Sequence, residues 1–445
     1  MAPERTVGVA ELARVEGEGA LRVVVQDGAV SEVVLNIFEP PRFFEAFLVG
    51  RSYKEVPDIT ARICGICPVA YQMTSCAAIE DAFGQGLDDA FVATPGPQIG
   101  HLRRLLYCGE WLQSHALHVY FLHAPDFFGC QDAVELGALD PAALHRGLDL
   151  KNIGNRIMTV VGGRAIHPVN VRVGGFYKAP RPEAVHTLEE PLRRALDAAL
   201  ETVQWVSHFD FPDVESDHVL VALRGQGRYP IEGGRVASSE GLDCTPAELA
   251  EVAVEEHVER SSALHSRLYG RLPYLTGPLA RYALNSSLLP PLAREAAARA
   301  GLPPVCRNPF RSIVVRSVEM VMACEEALRL VHSYEPPDPP AVEMPASPHG
   351  QVLVGAGATE APRGLLLHRY ELADGLVAKA RIMPPTSQNQ LAIEADLRSV
   401  AEAYMDAGDD ELGRRAEMAV RNHDPCISCA AHFLDVKVER RASGR

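Results

Sequence analysis

No stretch of this 445-residue chain is apolar for long enough to span a bilayer. No signal-like segment opens it either, since Met1-Ala2-Pro3-Glu4-Arg5 runs straight into an amphipathic stretch. There is no Gly-x-Gly-x-x-Gly fingerprint with which to bind a dinucleotide directly. Positive charge is in deficit: 43 Lys and Arg against 58 Asp and Glu leave a net charge of −15, which argues against nucleic acid or an anionic membrane surface as the main partner. Cysteine is too sparse for a disulfide-stapled scaffold. Ten in a chain of this length point instead to a reducing cytoplasm. What remains is an ordinary globular composition, 47% hydrophobic and 23% charged, long enough for two or three domain-sized units or one large intertwined one.

The chain opens as β. Leu21–Val25 and Val30–Ile37 are rich in β-branched residues and are joined through Asp27-Gly28, a hairpin signal. The middle reads as long apolar helices over Gln98–His123 (ending before Pro125), Leu192–His208, Pro246–Tyr269 and Ser312–Tyr334, which suits a buried bundle. A proline-rich breaker, 335–350, predicts an extended surface loop. Beyond it, Gln351–Val354, Leu365–Tyr370 and Leu376–Ile382 read as strands with Asp374-Gly375 as a turn, followed by helices at Gln390–Met405 and Glu411–Val420. The expected fold class is mainly α with β additions: a central helical bundle flanked by antiparallel hairpins.

Two Cys-x-x-Cys pairs sit at opposite ends: Arg62-Ile63-Cys64-Gly65-Ile66-Cys67-Pro68 and Asp424-Pro425-Cys426-Ile427-Ser428-Cys429-Ala430-Ala431-His432. Each pair puts two soft ligands on one tight turn, and together they make a four-thiolate site for zinc, an iron–sulfur centre or another thiophilic metal. Structural zinc knuckles usually lie close in sequence, because the metal replaces a missing core. This chain has core to spare, so a metal joining its two ends needs another reason. Because the pairs must meet, residues 1–432 are read as a single intertwined domain.

The flanking residues supply the reason. Arg-Ile-Cys-Gly-Ile-Cys-Pro and Asp-Pro-Cys-x-x-Cys-x-x-His resemble the paired signatures of the [NiFe]-hydrogenase large subunit. Five further segments follow that family in order: Arg14-Val15-Glu16-Gly17, Pro41-Arg42-Phe43-Phe44-Glu45, Ser114-His115-Ala116-Leu117-His118, Gly163-Arg164-Ala165-Ile166-His167-Pro168 and Thr359-Glu360-Ala361-Pro362-Arg363-Gly364. Their wording is most similar to the cytoplasmic, NAD(P)-linked multimeric branch.

The resemblance implies a nickel ion held by Cys64, Cys67, Cys426 and Cys429. Cys67 and Cys429 would bridge to an iron that carries carbon monoxide and cyanide. H2 would be split heterolytically there, with Cys426 accepting the proton and Glu16 relaying it. Arg363, set by Pro362 and paired with Asp424, would face the centre, and Thr386 would donate to a cyanide. Each has a plainer reading: Glu16 as a salt-bridge partner of Arg14, Arg363 as a surface arginine, Thr386 as the N-cap of the Gln390–Met405 helix. Glu45, His432 and the carbonyl of Gln390 match the family's magnesium site, whose hard cation favours oxygen donors. His115 and His118, three apart on a helix, take supporting or interface roles rather than ligation. Cys76, Cys108, Cys130, Cys244, Cys306 and Cys324 read as small buried hydrophobes.

Two positions depart from the pattern. Tyr71 stands where many relatives carry a histidine that bonds a bridging thiolate, and Ser114 stands where some carry an aspartate near the arginine. Residues 433–445 extend beyond His432 as a basic tail of the kind an endopeptidase removes once nickel is inserted, with a maturation chaperone assisting. With no further cysteine clusters, the chain would pass electrons to an iron–sulfur small subunit and on to flavin and NAD(P)-binding subunits. The rival readings are a non-catalytic subunit of the complex I type, which predicts loss of the cysteines, and a zinc-stabilised structural protein, which leaves Glu45 and Arg363 unexplained.

Overall fold

The computed structural model describes residues 5–84, 96–347 and 349–431. Arg5–Val9, Gly19–Gln26 and Ala29–Ile37 form a consecutive antiparallel sheet. Asp27 and Gly28 turn between the last two strands with φ of 51° and 78°, as the Asp-Gly pair predicts. This N-terminal sheet packs on the two C-terminal helices, Pro385–Ala403 and Asp409–Asn422. Arg398 donates to the Val30 carbonyl at 2.8 Å, and Arg5 reaches the Met405 and Ala407 carbonyls at 2.7 and 2.8 Å. The two ends of the chain are therefore side by side, as the separated cysteine pairs require.

Between them stands a bundle of four long helices, Pro97–Leu117, Pro141–Gly162, Glu189–Ser207 and Ser312–His332. The first two approach closely at Gly109 and Gly154: a Cβ on Gly154 would lie 2.6 Å from the Gly109 carbonyl oxygen, so no larger residue fits there. A second sheet, Val352–Ala361, Gly364–Ala373 and Leu376–Met383, packs on the Pro68–Ala82 helix, which begins at the first cysteine pair. Residues 335–350 carry no helix or strand among those described and are mostly exposed, as the prolines predict.

Three expectations fail in instructive ways. Pro246–Tyr269 is not one helix. A short helix, Pro246–Val252, leads into a hairpin, Ala253–Val258 and Ser261–Leu268. Glu255 faces inward from that hairpin and is buried against Arg381 and Ser387. The helix read as ending before Pro125 instead widens to a π-helical stretch at His118–His123 and runs on through Ala124–Phe127. Pro125 falls where the helix has widened: the Ala124 amide reaches back five residues to the Val119 carbonyl, and the wider ring accommodates a proline without an N–H. Thr386 is no N-cap: the helix begins at Pro385, and Thr386 lies inside its first turn.

Candidate metal centre

The first cysteine pair lies on the loop entering the Pro68–Ala82 helix. Pro68 at the first helical position leaves the Val69 and Ala70 amides unpaired, and the buried Glu110 carboxylate accepts from both, at 2.6 and 3.0 Å. Burial pushes the Glu110 carboxyl well above its usual range, opposed by these amides. Gln113, one turn further along the same helix as Glu110, donates to the Ile66 carbonyl at 2.6 Å and holds the loop between the two cysteines. The second pair starts the four-residue helix Ile427–Ala430. Arg42 staples the two together: its amide donates to the Ala431 carbonyl at 3.0 Å and its guanidinium to the Ile63 carbonyl at 2.9 Å.

All four cysteines are buried. The sulfurs of Cys64, Cys67 and Cys429 lie within 4.8 Å of one another, and the Cys64 and Cys426 sulfurs are 3.6 Å apart. The Cys426 and Cys429 sulfurs lie together across their own turn, and as thiolates they would add two further soft ligands to the same point. Hydrogen bonding from Cys67 holds the Cys64 thiol down at about 7, against burial and with help from Arg363; the same contact and burial push Cys67 up.

Glu16 reaches the second pair from the N-terminal segment. Its carbonyl accepts from the Ile427 amide at 2.9 Å and its carboxylate from the Ser428 amide at 3.1 Å. The strand passes so close that a Cβ on Gly17, which has φ of +92°, would lie 2.7 Å from the Ile427 Cβ; this explains the glycine after the glutamate. Arg14 is not the partner of Glu16. It donates to Asp126 at 2.5 Å and to the Leu122 carbonyl at 2.7 Å. Asp126 also takes Arg421, at 2.8 and 2.9 Å, so one carboxylate ties the arm that carries Glu16 to the arm that carries Cys426.

Arg363 occupies the two-residue turn after Val352–Ala361 and is buried, not on the surface. It donates from Nε to the Asp424 carbonyl at 2.8 Å and from Nη2 to the Asp424 Oδ1 at 3.1 Å. Its remaining Nη1, the Asp424 Oδ2 and the Tyr71 hydroxyl have no hydrogen-bond partner although buried. Orphaned donors beside four thiolates fit a site built to hold a metal with small polar ligands. Burial, then the nearby Cys67, Cys64 and Glu16, push the Tyr71 phenol well above its ordinary value, so it stays a donor. Thr386 accepts from the Cys426 amide at 2.9 Å. Ser114 is buried with an unpaired hydroxyl.

Glu45 is mostly buried, accepts from the Ile382 amide at 2.6 Å, and is pushed up to about 8 by that burial. The Gln390 side chain donates to the Thr386 carbonyl at 3.1 Å. His432 lies outside the described residues. The six other cysteines are all buried.

His115 lies 3.0 Å from Glu319, and His118 meets the Arg421 carbonyl at 2.7 Å. Both take supporting positions. His123 packs at a tilt against His118 with ring centroids 5.1 Å apart, and neither of its nitrogens has a partner. Burial, with His118, Arg316 and Arg421 adding and Asp126 opposing, depresses it well below the usual imidazole value. A depressed histidine stabilises the fold above its unfolded pKa of about 6.5, and that contribution is lost as pH falls. His123→Phe removes this loss. Its stability advantage over the wild type should grow towards about 1.4 kcal/mol per unit of pH below about 6.5. Urea unfolding at mildly alkaline and mildly acidic pH measures it; a difference independent of pH would mean that His123 takes up its proton equally readily folded and unfolded.

Comparison with known proteins places these features in one family. Residues 42–146 match the family described as nickel-dependent hydrogenase. The alpha subunit of sulfhydrogenase 1 from Pyrococcus furiosus is 34% identical over 435 residues, covering 96% of this chain and 98% of that one. The beta subunit of the NAD-reducing hydrogenase HoxS from Cupriavidus necator is 28% identical over 472 residues, covering 97% and 95%. A solved NAD+-reducing [NiFe]-hydrogenase in its H2-reduced state superposes with a TM-score of 0.85 at 27% identity, covering 96% of this chain and 99% of that one. The chain belongs to the nickel-dependent hydrogenase large-subunit family. It is a [NiFe]-hydrogenase oxidoreductase, the H2-cleaving catalytic subunit, with nickel and iron as its metals. The zinc-scaffold and complex I readings give way to this one.

Sequence reasoning missed Glu110, Asp126, Arg281 and Glu319. Glu110 had a local signal, a lone acid on an apolar helix facing a Pro-initiated one. The other three meet partners far away in sequence.

Proposed function

We propose that this chain splits and forms H2 reversibly at a nickel–iron centre that Cys64, Cys67, Cys426 and Cys429 would hold, Cys67 and Cys429 serving both metals. The iron would carry carbon monoxide and cyanide. When bound, the centre supplies the redox-active site at which H2 is polarised. The chain's own residues do the rest. Cys426 takes the proton and Glu16, already bonded to the Ser428 amide, receives it next. Arg363 offers its unpaired Nη1 towards the centre while Asp424 fixes its plane. Thr386, whose oxygen accepts from the Cys426 amide, keeps its hydroxyl proton and would donate it to a cyanide. Apolar burial excludes water, so each polar group acts in a low dielectric. The observation that carries this reading is the convergence of the Cys64, Cys67 and Cys429 sulfurs, with Cys426 beside Cys64, near a buried Arg–Asp pair that retains an unpaired donor and an unpaired acceptor.

Magnesium or another hard divalent ion would sit at Glu45, His432 and the Gln390 carbonyl. Electrons leave where the first cysteine loop reaches the surface: Arg62 and Gly65 are exposed there, and Arg62 lies beside His167 of a segment that also exposes Ile166. That face suits an iron–sulfur small subunit, with flavin and NAD(P)-binding subunits beyond it. No described helix is long and apolar enough to cross a membrane; the working compartment is the cytoplasm. Residues 1–432 act as one domain, and an endopeptidase removes 433–445 after a chaperone-assisted loading of nickel.

An infrared spectrum of protein purified from a host able to mature it tests the proposal. Carbonyl and cyanide stretches, which no side chain produces, are the expected result. Their absence from folded protein trimmed at His432 would sink it.

A further inference from the structure

The Arg363–Asp424 pair joins two segments that are 61 residues apart in sequence. Asp424 has a φ of +51°, a left-handed turn conformation, and its amide donates to the Arg421 carbonyl at 3.1 Å. Arg363 sits on a two-residue turn. Both are reached from one helix, Ser312–His332. Ser312, Arg316 and Glu319 lie at positions i, i+4 and i+7, which places them in line on one face, and all three are buried.

One arm runs to Asp424. The Ser312 hydroxyl donates to the Asn422 carbonyl at 2.7 Å, and Arg316 Nη1 donates to the same oxygen at 2.9 Å. Two donors on one carbonyl fix the chain two residues before Asp424. The other arm runs to Arg363 through Arg281. Glu319 binds Arg281 with both carboxylate oxygens, each at 2.9 Å. Arg281 in turn donates to the Ala361 carbonyl at 2.6 Å and the Pro362 carbonyl at 2.9 Å, the two residues before Arg363. The face of Trp111, 4.4 Å from the Arg281 guanidinium, and the Tyr229 hydroxyl, 2.8 Å from Glu319, complete the packing.

Charged groups at such depth are an expensive way to gain stability, and apolar residues of similar volume often serve as well. What they provide is direction: each carbonyl is met from a fixed side. We propose that Ser312, Arg316 and Glu319 are positioning residues whose common helix face sets the spacing and orientation of Arg363 and Asp424 beside the thiolates. What that pair faces rests on the hydrogenase reading; how it is held does not, and is tested apart from turnover.

The test is hydrogen exchange followed by mass spectrometry on the full chain, read at peptides covering 421–426 and 361–364. Arg316→Met should speed exchange at 421–426 by about ten- to a hundredfold, the loss of a charge-assisted hydrogen bond, and Arg316→Lys, which keeps a donor, should restore most of the protection. Ser312→Ala removes a single hydroxyl and should give a smaller rise, about tenfold or less, at the same amides. Glu319→Gln should loosen 361–364, because Arg281 loses its bidentate partner. In matured protein the same variants should lower H2 turnover with nickel content unchanged. Unchanged protection in both Ser312→Ala and Arg316→Met would overturn the proposal. So would exchange that rises evenly over the whole chain, or a failure of lysine to restore protection at 316. If infrared spectra show no iron-bound diatomics while the exchange pattern holds, the hydrogenase chemistry fails and the positioning stands.

Discussion

Cys426→Ser should abolish H2 oxidation, by about 10^4-fold or more, while the protein still folds. The change removes a nickel ligand and the first proton acceptor together, and a positioned acid or base alone contributes about 10^2–10^4-fold. A hydroxyl is a poor ligand for a thiophilic metal, so nickel content should fall as well. The fold should survive because it does not hang on the site. Cys426 lies where the second cysteine arm is already held by the Thr386 hydroxyl, by the Glu16 carbonyl and, through Arg421, by Asp126. A buried serine hydroxyl in place of the thiol costs about 1–3 kcal/mol. Nickel analysis, circular dichroism and a hydrogen-uptake assay on the same preparation decide the matter. A variant that is unfolded, rather than folded and nickel-poor, would return the centre to the role of a structural scaffold.

Local contacts account for most of what the sequence made legible. Cysteine pairs are read easily because both ligands lie within one turn. The flanking motifs are read as strings because each meets its site through backbone proximity: Gly17 because the chain grazes Ile427, Pro68 because the helix starts there, Arg363 because its turn is two residues long. The hairpins at Asp27-Gly28 and Asp374-Gly375 announced themselves through turn chemistry, and all four residues have positive φ. Long-range polar partners carry no such signal. Glu319, Arg281 and Glu360 share one dry pocket in which a single guanidinium meets two carboxylates. Glu319, gripped by Arg281 at both oxygens, is held down at about 2 against burial, while burial lifts Glu360 to about 7 in spite of the same arginine. On the sequence each is one charged residue in an apolar stretch. The misread of Pro246–Tyr269 has the same origin. Glu255 is a core residue because Arg381, on a strand more than a hundred residues later, makes it one. Thr386 was read at the centre from the resemblance alone, with an N-cap as its plainer alternative; its hydroxyl accepts from the Cys426 amide, a partner 40 residues away that no local pattern announces.

Glu16→Gln should separate the splitting of H2 from the departure of its proton. Glutamine has the shape of glutamate and keeps a carbonyl oxygen for the Ser428 amide, and the Glu16 carbonyl still accepts from Ile427. The second cysteine arm is therefore undisturbed, and stability should change by less than about 1 kcal/mol, as for other neutral hydrogen-bond exchanges. What the amide lacks is a site for a proton. If Glu16 is the station between Cys426 and the exterior, steady-state H2 oxidation should fall by about 10^2–10^4-fold. Exchange between D2 and water should fall with it, because both require the proton to leave. Interconversion of para- and ortho-H2 requires only that the two atoms separate and rejoin at the centre, so it should continue at the wild-type rate. If exchange with water also continued at the wild-type rate, the proton would have another way out and Glu16 would be a strut for Ser428. If interconversion failed as well, with nickel still in place, Glu16 would be needed to shape the centre itself. The contacts favour the first outcome: every hydrogen bond recorded for the Glu16 carboxylate ends on one backbone amide, which glutamine can still satisfy, and the side chain is half-buried between the thiolates and the surface.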